Sequence, residues 1–258
     1  MKVADYMTRE VVKIDKDRKL SDALELMERH RVSRLLVVNS GRIVGIITDK
    51  DVLKVMGSSK YSNKLPSSLH VSTAMSRDVL TCSPDASLAD AVKLMKAHRI
   101  KSLPVVNGTS LAGILTATDV LKALVDSRVP VEEVMTREVC TVSPTERAVH
   151  ARRLMLDRGI SRLVVVDSGR MVGILTERQL GRALGAFRSA ADAKQVNRVR
   201  NLLVGDVMTQ RVVSIPESAT VGEAARKMLE HGFSGMPVVS GEELRGIVTK
   251  TDLIGLVA

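Results

Sequence analysis

The sequence predicts an α/β fold of the α+β type, built from four copies of one β-α-β-β-α unit. First, a signature motif of glycine, two apolar residues, threonine, two variable residues and a final acid or amide occurs four times. Its copies are Gly45–Asp51, Gly113–Asp119, Gly173–Gln179 and Gly246–Asp252. Second, a methionine followed by Thr or Ser, called here the anchor methionine, lies 44 residues before the end of each motif, at Met7, Met75, Met135 and Met208. Four copies that align without a gap indicate a repeat protein.

Each repeat begins with a short alternating strand and an amphipathic helix. The alternating pattern is typical of a half-buried strand, and it covers residues 11–14, 79–82, 139–142 and 212–215. In the next segment, apolar residues recur at spacings of three and four, which places them on one helix face. In repeat 1 these residues are Leu20, Ala23, Leu24 and Met27.

The second half of each repeat reads as two strands and a helix. A continuous apolar run predicts the middle strand, at residues 35–38, 103–106, 163–166 and 236–239. Such runs suit strands that helices cover on at least one face. A turn with glycine leads to the strand of the signature motif, and the motif then opens the last helix.

The links between repeats predict how the repeats group. The links after Asp51 and Gln179 are long and include the polar residues 57–66 and 189–195, whereas the link after Asp119 is short. We therefore predict two modules. Module 1 covers residues 1–127, with repeats at about 1–57 and 68–127, and module 2 covers residues 128–258, with repeats at about 128–187 and 201–258.

Composition favours a globular, basic protein with an anionic ligand or partner. Apolar residues make up 45% of the chain, and the formal net charge is +10, which attracts anions without selecting among them. An aromatic content of 2% without Trp argues against a surface on which single-stranded RNA or DNA stacks. No apolar run approaches the roughly 20 residues of a membrane span, and the first residues lack a signal-peptide core. We expect a cytoplasmic protein with no membrane association.

The cysteines and histidines do not predict a metal site. Cys82 and Cys140 lie in the predicted first strands of two repeats, and neither has a Cys or His at metal-ligand spacing. The histidines form no helical pair with a carboxylate. We expect buried, reduced thiols and no bound metal.

The end of the signature motif has two interpretations. Threonine followed three residues later by an acid, just before an apolar helix, resembles a capping box. The preferred acid there is the longer Glu, yet three copies carry Asp, which can instead accept two hydrogen bonds from the vicinal diol of a ribose. Gln179 keeps the cap but lacks the charge, so repeat 3 should be the poorest ribose binder. The glycine of the motif indicates either a close approach to a ligand or a strand bulge.

A second polar set lies before each middle strand. It comprises Ser33–Arg34, Lys101–Ser102, Ser161–Arg162 and Ser234–Gly235. Basic residues are favoured at a helix C-terminus by the helix dipole, and a guanidinium turned toward the motif would offer bidentate contacts to phosphate. Both interpretations stay open, and Gly235 supplies no cation in repeat 4.

The signature motif, the anchor methionine and the order of elements together resemble the CBS domain, named after cystathionine β-synthase, over essentially the whole chain. Four tandem copies without a further domain are similar to the gamma subunit of AMP-activated protein kinase and to stand-alone prokaryotic CBS proteins. The resemblance implies that adjacent repeats pair into pseudo-two-fold modules, called Bateman modules, whose clefts bind adenosine compounds.

The resemblance also implies roles for individual residues. Ribose contacts fall to Thr48, Asp51, Thr116, Asp119, Thr249 and Asp252. Phosphate contacts fall to Ser33, Arg34, Lys101, Ser161 and Arg162. The adenine is lined by Thr8, Val12, Ser76, Leu80, Thr136, Cys140, Thr209 and Val213. Gln179 and Gly235 depart from the pattern, so repeat 3 lacks its ribose acid and repeat 4 needs a cation from a neighbouring copy.

We therefore predict a regulatory protein without catalytic activity that senses AMP, ADP or ATP and requires no cofactor. No nucleophile–base pair, phosphate loop or paired-carboxylate motif is evident. One alternative is that the clefts take another adenosine compound, such as S-adenosylmethionine. Another is nucleic-acid binding by the basic surface, although no helix-turn-helix, zinc or aromatic RNA-binding signature supports it. An unidentified protein partner and a homodimer are further expectations from the resemblance.

Overall fold

The computed structural model describes residues 1–56, 61, 64–189 and 201–258. Most of the predicted polar link 57–66, and residues 190–195 of the second link, lie outside the described residues. Contacts divide the chain into two compact units. Unit 1 comprises Met1–Thr8, Cys82–Thr176 and Arg200–Ala258, and unit 2 comprises Arg9–Thr81 and Glu177–Val199. The module boundary between residues 127 and 128 stays a prediction.

The predicted α/β class and the recurring order of elements are confirmed. Repeat 1 contains β1 (Lys13–Asp15), α1 (Leu20–Arg29), β2 (Arg34–Asn39), β3 (Arg42–Thr48) and α2 (Asp49–Met56). Repeat 2 contains α3 (Leu88–Ala97), β4 (Ser102–Asn107), β5 (Ser110–Thr116) and α4 (Ala117–Leu121). Repeat 3 contains β6 (Thr141–Val142), α5 (Ala148–Arg158), β7 (Arg162–Asp167), β8 (Arg170–Thr176) and α6 (Glu177–Ser189). Repeat 4 contains β9 (Ile215–Pro216), α7 (Val221–Glu230), β10 (Gly235–Ser240), β11 (Glu243–Thr249) and α8 (Lys250–Ile254).

The first strand of each repeat is shorter than the sequence predicts, and in repeat 2 it is reduced to a single bridge between Cys82 and Val105. The middle strand explains where the pairing begins in repeat 2. In repeat 1, the N–H of Leu36 donates to the carbonyl of Val12 at 3.2 Å. Pro104 stands at the corresponding position of repeat 2, and proline has no N–H to donate. Pairing in repeat 2 therefore begins only at Cys82.

The middle strand and the motif strand form an antiparallel hairpin in all four repeats. In repeat 1 the pairing runs from Arg34 opposite Thr48 to Asn39 opposite Arg42, and it shifts register beside Gly45. The same shift occurs beside the motif glycine of the other three repeats. The motif glycine is thus at a bulge, as one of its two interpretations predicts.

The anchor of one repeat pairs with the motif strand of its neighbour. The N–H groups of Thr8 and Ile114 each donate to the other residue's carbonyl, both at 2.9 Å. The same exchange joins Ser76 with Ile46, Thr136 with Ile247 and Thr209 with Ile174. These bridges connect repeat 1 with repeat 2 and repeat 3 with repeat 4.

The motif glycine makes room for this exchange. A Cβ on Gly113 would lie 2.7 Å from the carbonyl oxygen of Thr8 and 2.9 Å from Sδ of Met7. The other three motif glycines meet the anchor methionine of the neighbouring repeat in the same way. The motif glycine and the anchor methionine therefore recur together because they pack against each other.

Unit 2 has its own core between α1 and the sheet β1-β2-β3. Leu20, Ala23 and Met27 of α1 are buried together with Leu35 and Ile47 of the sheet. This is the apolar face that the helical spacing predicts, although Leu24 is only partly buried.

Unit 1 contains the sheets β4-β5, β6-β7-β8 and β9-β10-β11. The short helices α4 and α8, which follow the motifs of repeats 2 and 4, pack against each other. Nζ of Lys250 donates to Oγ1 of Thr118 at 2.7 Å between them. The two motif ends of this unit are therefore close neighbours.

Within the described residues, every helix is too short or too polar to span a lipid bilayer. Over the same part of the chain, no three His, Cys, Asp or Glu side chains are placed to hold a metal ion together.

Replacement of Gly113 tests the contact between motif and anchor. We expect Gly113→Ala to lower the free energy of unfolding by about 1–3 kcal/mol, because the new Cβ collides with the Thr8 backbone and with Met7. Urea denaturation measures this loss.

Gly255→Ala is the matched control, since a Cβ there lies 3.4 Å from Nζ of Lys96, the end of a flexible side chain. We expect a change within about 0.5 kcal/mol. Equal losses in the two variants would contradict the role assigned to the motif glycine.

Candidate functional site

A cleft of about 450 Å³ opens in unit 1, within the size range of small-molecule sites. Three repeats line it. Repeat 2 contributes the end of α3 and the segment between α3 and β4, repeat 3 its anchor region and the start of β7, and repeat 4 its signature motif. The predicted site residues around this cleft are Lys101, Thr136, Cys140, Ser161, Arg162, Thr249 and Asp252. The structure thus brings together residues that the sequence analysis assigned to all three parts of a nucleotide.

Asp252 presents one carboxylate oxygen to the protein. Its Oδ2 accepts hydrogen bonds from the backbone N–H and from Oγ1 of Thr249, both at 2.7 Å. Among the described residues, none donates a hydrogen bond to its Oδ1. The half-buried Asp252 side chain lines the cleft. Oδ1 of Asp252 therefore has acceptor positions left for a bound molecule.

The capping interpretation holds for each motif that ends in Asp. In repeat 1, the N–H and Oγ1 of Thr48 donate to Oδ2 of Asp51 at 2.9 and 2.7 Å. Thr116 and Asp119 make the same pair of bonds, at 2.9 and 2.6 Å. The shorter Asp thus completes the capping box in place of the preferred Glu, because its side chain reaches back to the threonine and one oxygen suffices.

Asp119 differs from Asp252 in being almost fully enclosed, with 3% of its surface exposed. Its Oδ1 accepts hydrogen bonds from Oγ1 of Thr8 at 3.0 Å and from Nζ of Lys122 at 2.9 Å. Thr8, predicted to line an adenine, thus bonds a predicted ribose residue. Both oxygens of Asp119 have protein donors.

Arg162 crosses from repeat 3 into repeat 4. Its guanidinium is buried and donates to the carbonyl oxygen of Ser234 at 2.7 Å and to Oγ of Ser234 at 2.5 Å. A Cβ on Gly235 would overlap this guanidinium. Gly235 therefore leaves room for the guanidinium of the neighbouring repeat. Repeat 4 was expected to need a cation from a neighbouring copy, and Arg162 lies at this position.

Burial also changes the acidity of Arg162. Removal from water lowers the pKa of Arg162 to about 10, while the negative charge of Asp252 acts in the opposite direction. The guanidinium remains charged at neutral pH. A fixed positive charge therefore lies beside the Asp252 carboxylate.

Sequence reasoning missed two basic residues of the cleft, Lys96 and Arg99, at the C-terminal end of α3. Together with Lys101 they form a basic rim contributed by repeat 2. Their pattern resembled the ordinary basic residues of a helix C-terminus, so only the tertiary structure identifies them. Glu138 adds one acidic group to the lining.

The sheet register places the two predicted phosphate arginines beside motif threonines. Arg34 pairs with Thr48 in repeat 1, and Arg162 pairs with Thr176 in repeat 3. In repeat 1 the N–H of Asp49 also donates to the Ser33 carbonyl at 3.1 Å. Within one repeat, these two residue sets are therefore adjacent.

The residues predicted to line the adenine divide into two groups. Thr136 and Cys140 line the cleft. Thr8 bonds to Asp119, and Ser76 and Thr209 make backbone bridges to neighbouring motif strands. The remaining apolar members are half-buried, namely Val12, Leu80 and Val213. The same pairing of anchor and motif recurs in all four repeats, and the cleft of unit 1 is lined by predicted adenine, phosphate and ribose residues together.

Comparison with protein families identifies the same four repeats as the sequence and the structure. The model of the CBS domain matches residues 3–58, 71–126, 131–186 and 204–258. These segments correspond to the four repeats and cover most of the chain.

Two relatives resemble the whole chain. Protein MJ1225 of Methanocaldococcus jannaschii is 27% identical over 98% of this chain and 97% of its own length. Its crystal structure, described as that of a suggested archaeal homologue of the gamma subunit of AMP-activated protein kinase, superposes with a TM-score of 0.88 over 100% of both chains at 26% identity. An uncharacterized conserved protein from Pyrococcus horikoshii gives a TM-score of 0.70 over 100% of both chains, also at 26% identity.

A third relative is longer. Uncharacterized protein MJ1404 of Methanocaldococcus jannaschii is 29% identical over 99% of this chain, which spans 62% of its length.

The contacts of Arg162 generate a stability prediction. We expect Arg162→Met to lower the free energy of unfolding by about 1–3 kcal/mol, because the carbonyl and hydroxyl of Ser234 lose their buried donors. Arg99→Met, on the exposed rim of the same cleft, should change it by less than about 0.5 kcal/mol. Thermal and urea unfolding of both variants measure the difference, and a neutral Arg162→Met would contradict a buried bridging role.

Proposed function

The chain belongs to the CBS domain family, and on that premise we propose that it is a regulatory protein that binds AMP, ADP or ATP in the cleft of unit 1. The observation that carries the proposal is the convergence of the Asp252 carboxylate, a basic rim and an apolar wall on one cavity. No catalytic step is needed for this function. The protein reports nucleotide occupancy through its conformation.

Asp252 supports the ribose end of the proposal. A carboxylate oxygen without a protein donor can accept hydrogen bonds from the two hydroxyl groups of a ribose, as an acidic residue does in dinucleotide-binding folds. The capping bonds from Thr249 hold the carboxylate in place. The acceptor is therefore positioned before a ligand arrives, which reduces the entropy lost on binding.

The basic rim supports the phosphate end. Lys96, Arg99 and Lys101 line the cleft from repeat 2, and Arg162 carries a buried positive charge. Cationic donors form short, strong hydrogen bonds with phosphate oxygens. A sulfonium ligand such as S-adenosylmethionine gains nothing from these charges, so they favour a phosphorylated adenosine.

Apolar residues support the base. Ile100, Val139, Cys140, Ile160 and Ile247 line the cleft, and a planar purine buries its faces against such a wall. The four-repeat relative MJ1225, with its described homology to a kinase gamma subunit, adds support from outside the site.

The regulatory step would be a population shift. Because repeats 2, 3 and 4 all contribute to the cleft, a nucleotide that contacts them together favours the arrangement in which they are close. A shift from 1:99 to 99:1 needs about 5.5 kcal/mol of differential affinity, which is within the roughly 8 kcal/mol of a micromolar site. The proposal also includes a protein partner that responds to nucleotide binding, and a homodimer.

Calorimetric titration with AMP, ADP and ATP tests the proposal. We expect Asp252→Asn to weaken binding at this cleft at least about tenfold, because hydrogen bonds to a charged acceptor are worth about 1.5–3 kcal/mol. Asn keeps the cap but removes the charge. S-adenosylmethionine should not displace the bound nucleotide.

Glu223→Gln is the matched control. Glu223 closes a similar capping box on α7, where the N–H of Thr220 donates to its Oε2 at 2.7 Å, and this box is not part of the cleft lining. The Glu223→Gln variant should bind the nucleotide with the same affinity as the unmodified protein. Unchanged affinity in Asp252→Asn as well would refute the assigned site.

A further inference from the structure

The two motif carboxylates of unit 1 have different hydrogen-bond partners. An ionised carboxylate offers about four acceptor positions. Asp119 uses all of them, for the N–H and Oγ1 of Thr116, for Oγ1 of Thr8 and for Nζ of Lys122. Asp252 accepts two described hydrogen bonds, and both go to Oδ2. The same residue in two copies of the motif thus has a different number of hydrogen-bond acceptor positions filled by the protein.

The difference traces to the residue three positions after each Asp. In repeat 2 this is Lys122, whose ammonium reaches the carboxylate of Asp119. In repeat 4 it is Gly255, which has no side chain to reach Asp252. Both sites have an anchor threonine, Thr8 and Thr136, but only Thr8 donates to its motif carboxylate among the described residues. Lys122 is therefore the donor that has no counterpart in the sequence of repeat 4.

We propose that Lys122 and Thr8 act as built-in ligands of the Asp119 carboxylate, so that the motif of repeat 2 takes no nucleotide while that of repeat 4 does. This inference rests on the proposed function. Residue 122, or its counterpart 255, selects which motif of unit 1 is a binding site.

The exchange of these internal ligands for a ribose is unfavourable. The bond from Lys122 is charge-assisted, at 2.9 Å, and such bonds are roughly twice as strong as those of neutral donors. A ribose would replace it with a neutral hydroxyl and would also have to displace Thr8. It would further have to reach a carboxylate whose side chain is 5% exposed. At Asp252, by contrast, no described residue donates to Oδ1, so a ribose there has no protein donor to displace.

Calorimetry with AMP tests the proposal by counting the molecules bound per chain. Asp119→Asn should bind the same number as the unmodified protein, with an affinity within twofold. Asp252→Asn should bind one fewer, or bind that one at least tenfold more weakly. Gly255→Lys, which supplies repeat 4 with the lysine of repeat 2, should have the same deficit as Asp252→Asn, whereas Gly255→Ala should not.

The outcomes separate the inference from the function on which it rests. Loss of one AMP in Asp119→Asn, or full binding in Gly255→Lys, would overturn the inference while leaving the proposed function intact. Absence of AMP binding in the unmodified protein would overturn both. If Asp119→Asn does not fold, Gly255→Lys, which changes a half-buried position at the start of a short 3-10 helix, decides the question alone.

Discussion

The exchange of backbone hydrogen bonds between an anchor and the motif strand of the neighbouring repeat is the constraint on which the sites depend. Thr136 and Ile247 form one such pair, and the motif glycine beside it admits the anchor methionine because it has no Cβ. This contact places the first strand of one repeat against the motif of another. The cleft therefore draws on several repeats: repeat 3 supplies much of its apolar wall, repeat 4 supplies Asp252, and repeat 2 adds the basic rim.

In the proposed function, the motif carboxylate combines a structural role with a binding role. One oxygen caps the last helix, and this role is the same for Asp51, Asp119 and Asp252. The surroundings of the second oxygen differ between copies. In unit 1, the Asp119 side chain is enclosed by protein, whereas the Asp252 side chain lines a cleft. Because the cap is common to all, the motif alone does not identify a binding site. Neighbouring residues outside the motif decide its chemistry.

Much of the fold was predictable because periodicity reports local structure. The spacing of Leu20, Ala23 and Met27 reports a buried helix face, and four gapless copies report the repeat. The proline effect on the first strand needed knowledge of which strands pair. Aligning the repeats shows that Arg162 of repeat 3 and Gly235 of repeat 4 occupy the same position. Only the structure shows that the Arg162 guanidinium fills the space that a side chain at residue 235 would take.

The central claim is that Oδ1 of Asp252 receives the hydroxyl groups of a nucleotide ribose. A crystal structure of the protein soaked with AMP measures this directly. The account predicts a ribose oxygen about 2.5–3.0 Å from Oδ1 of Asp252, with the phosphate on the basic rim formed by Lys96, Arg99 and Lys101. AMP bound elsewhere, or in this cleft with its ribose out of hydrogen-bond range of Asp252, would contradict it.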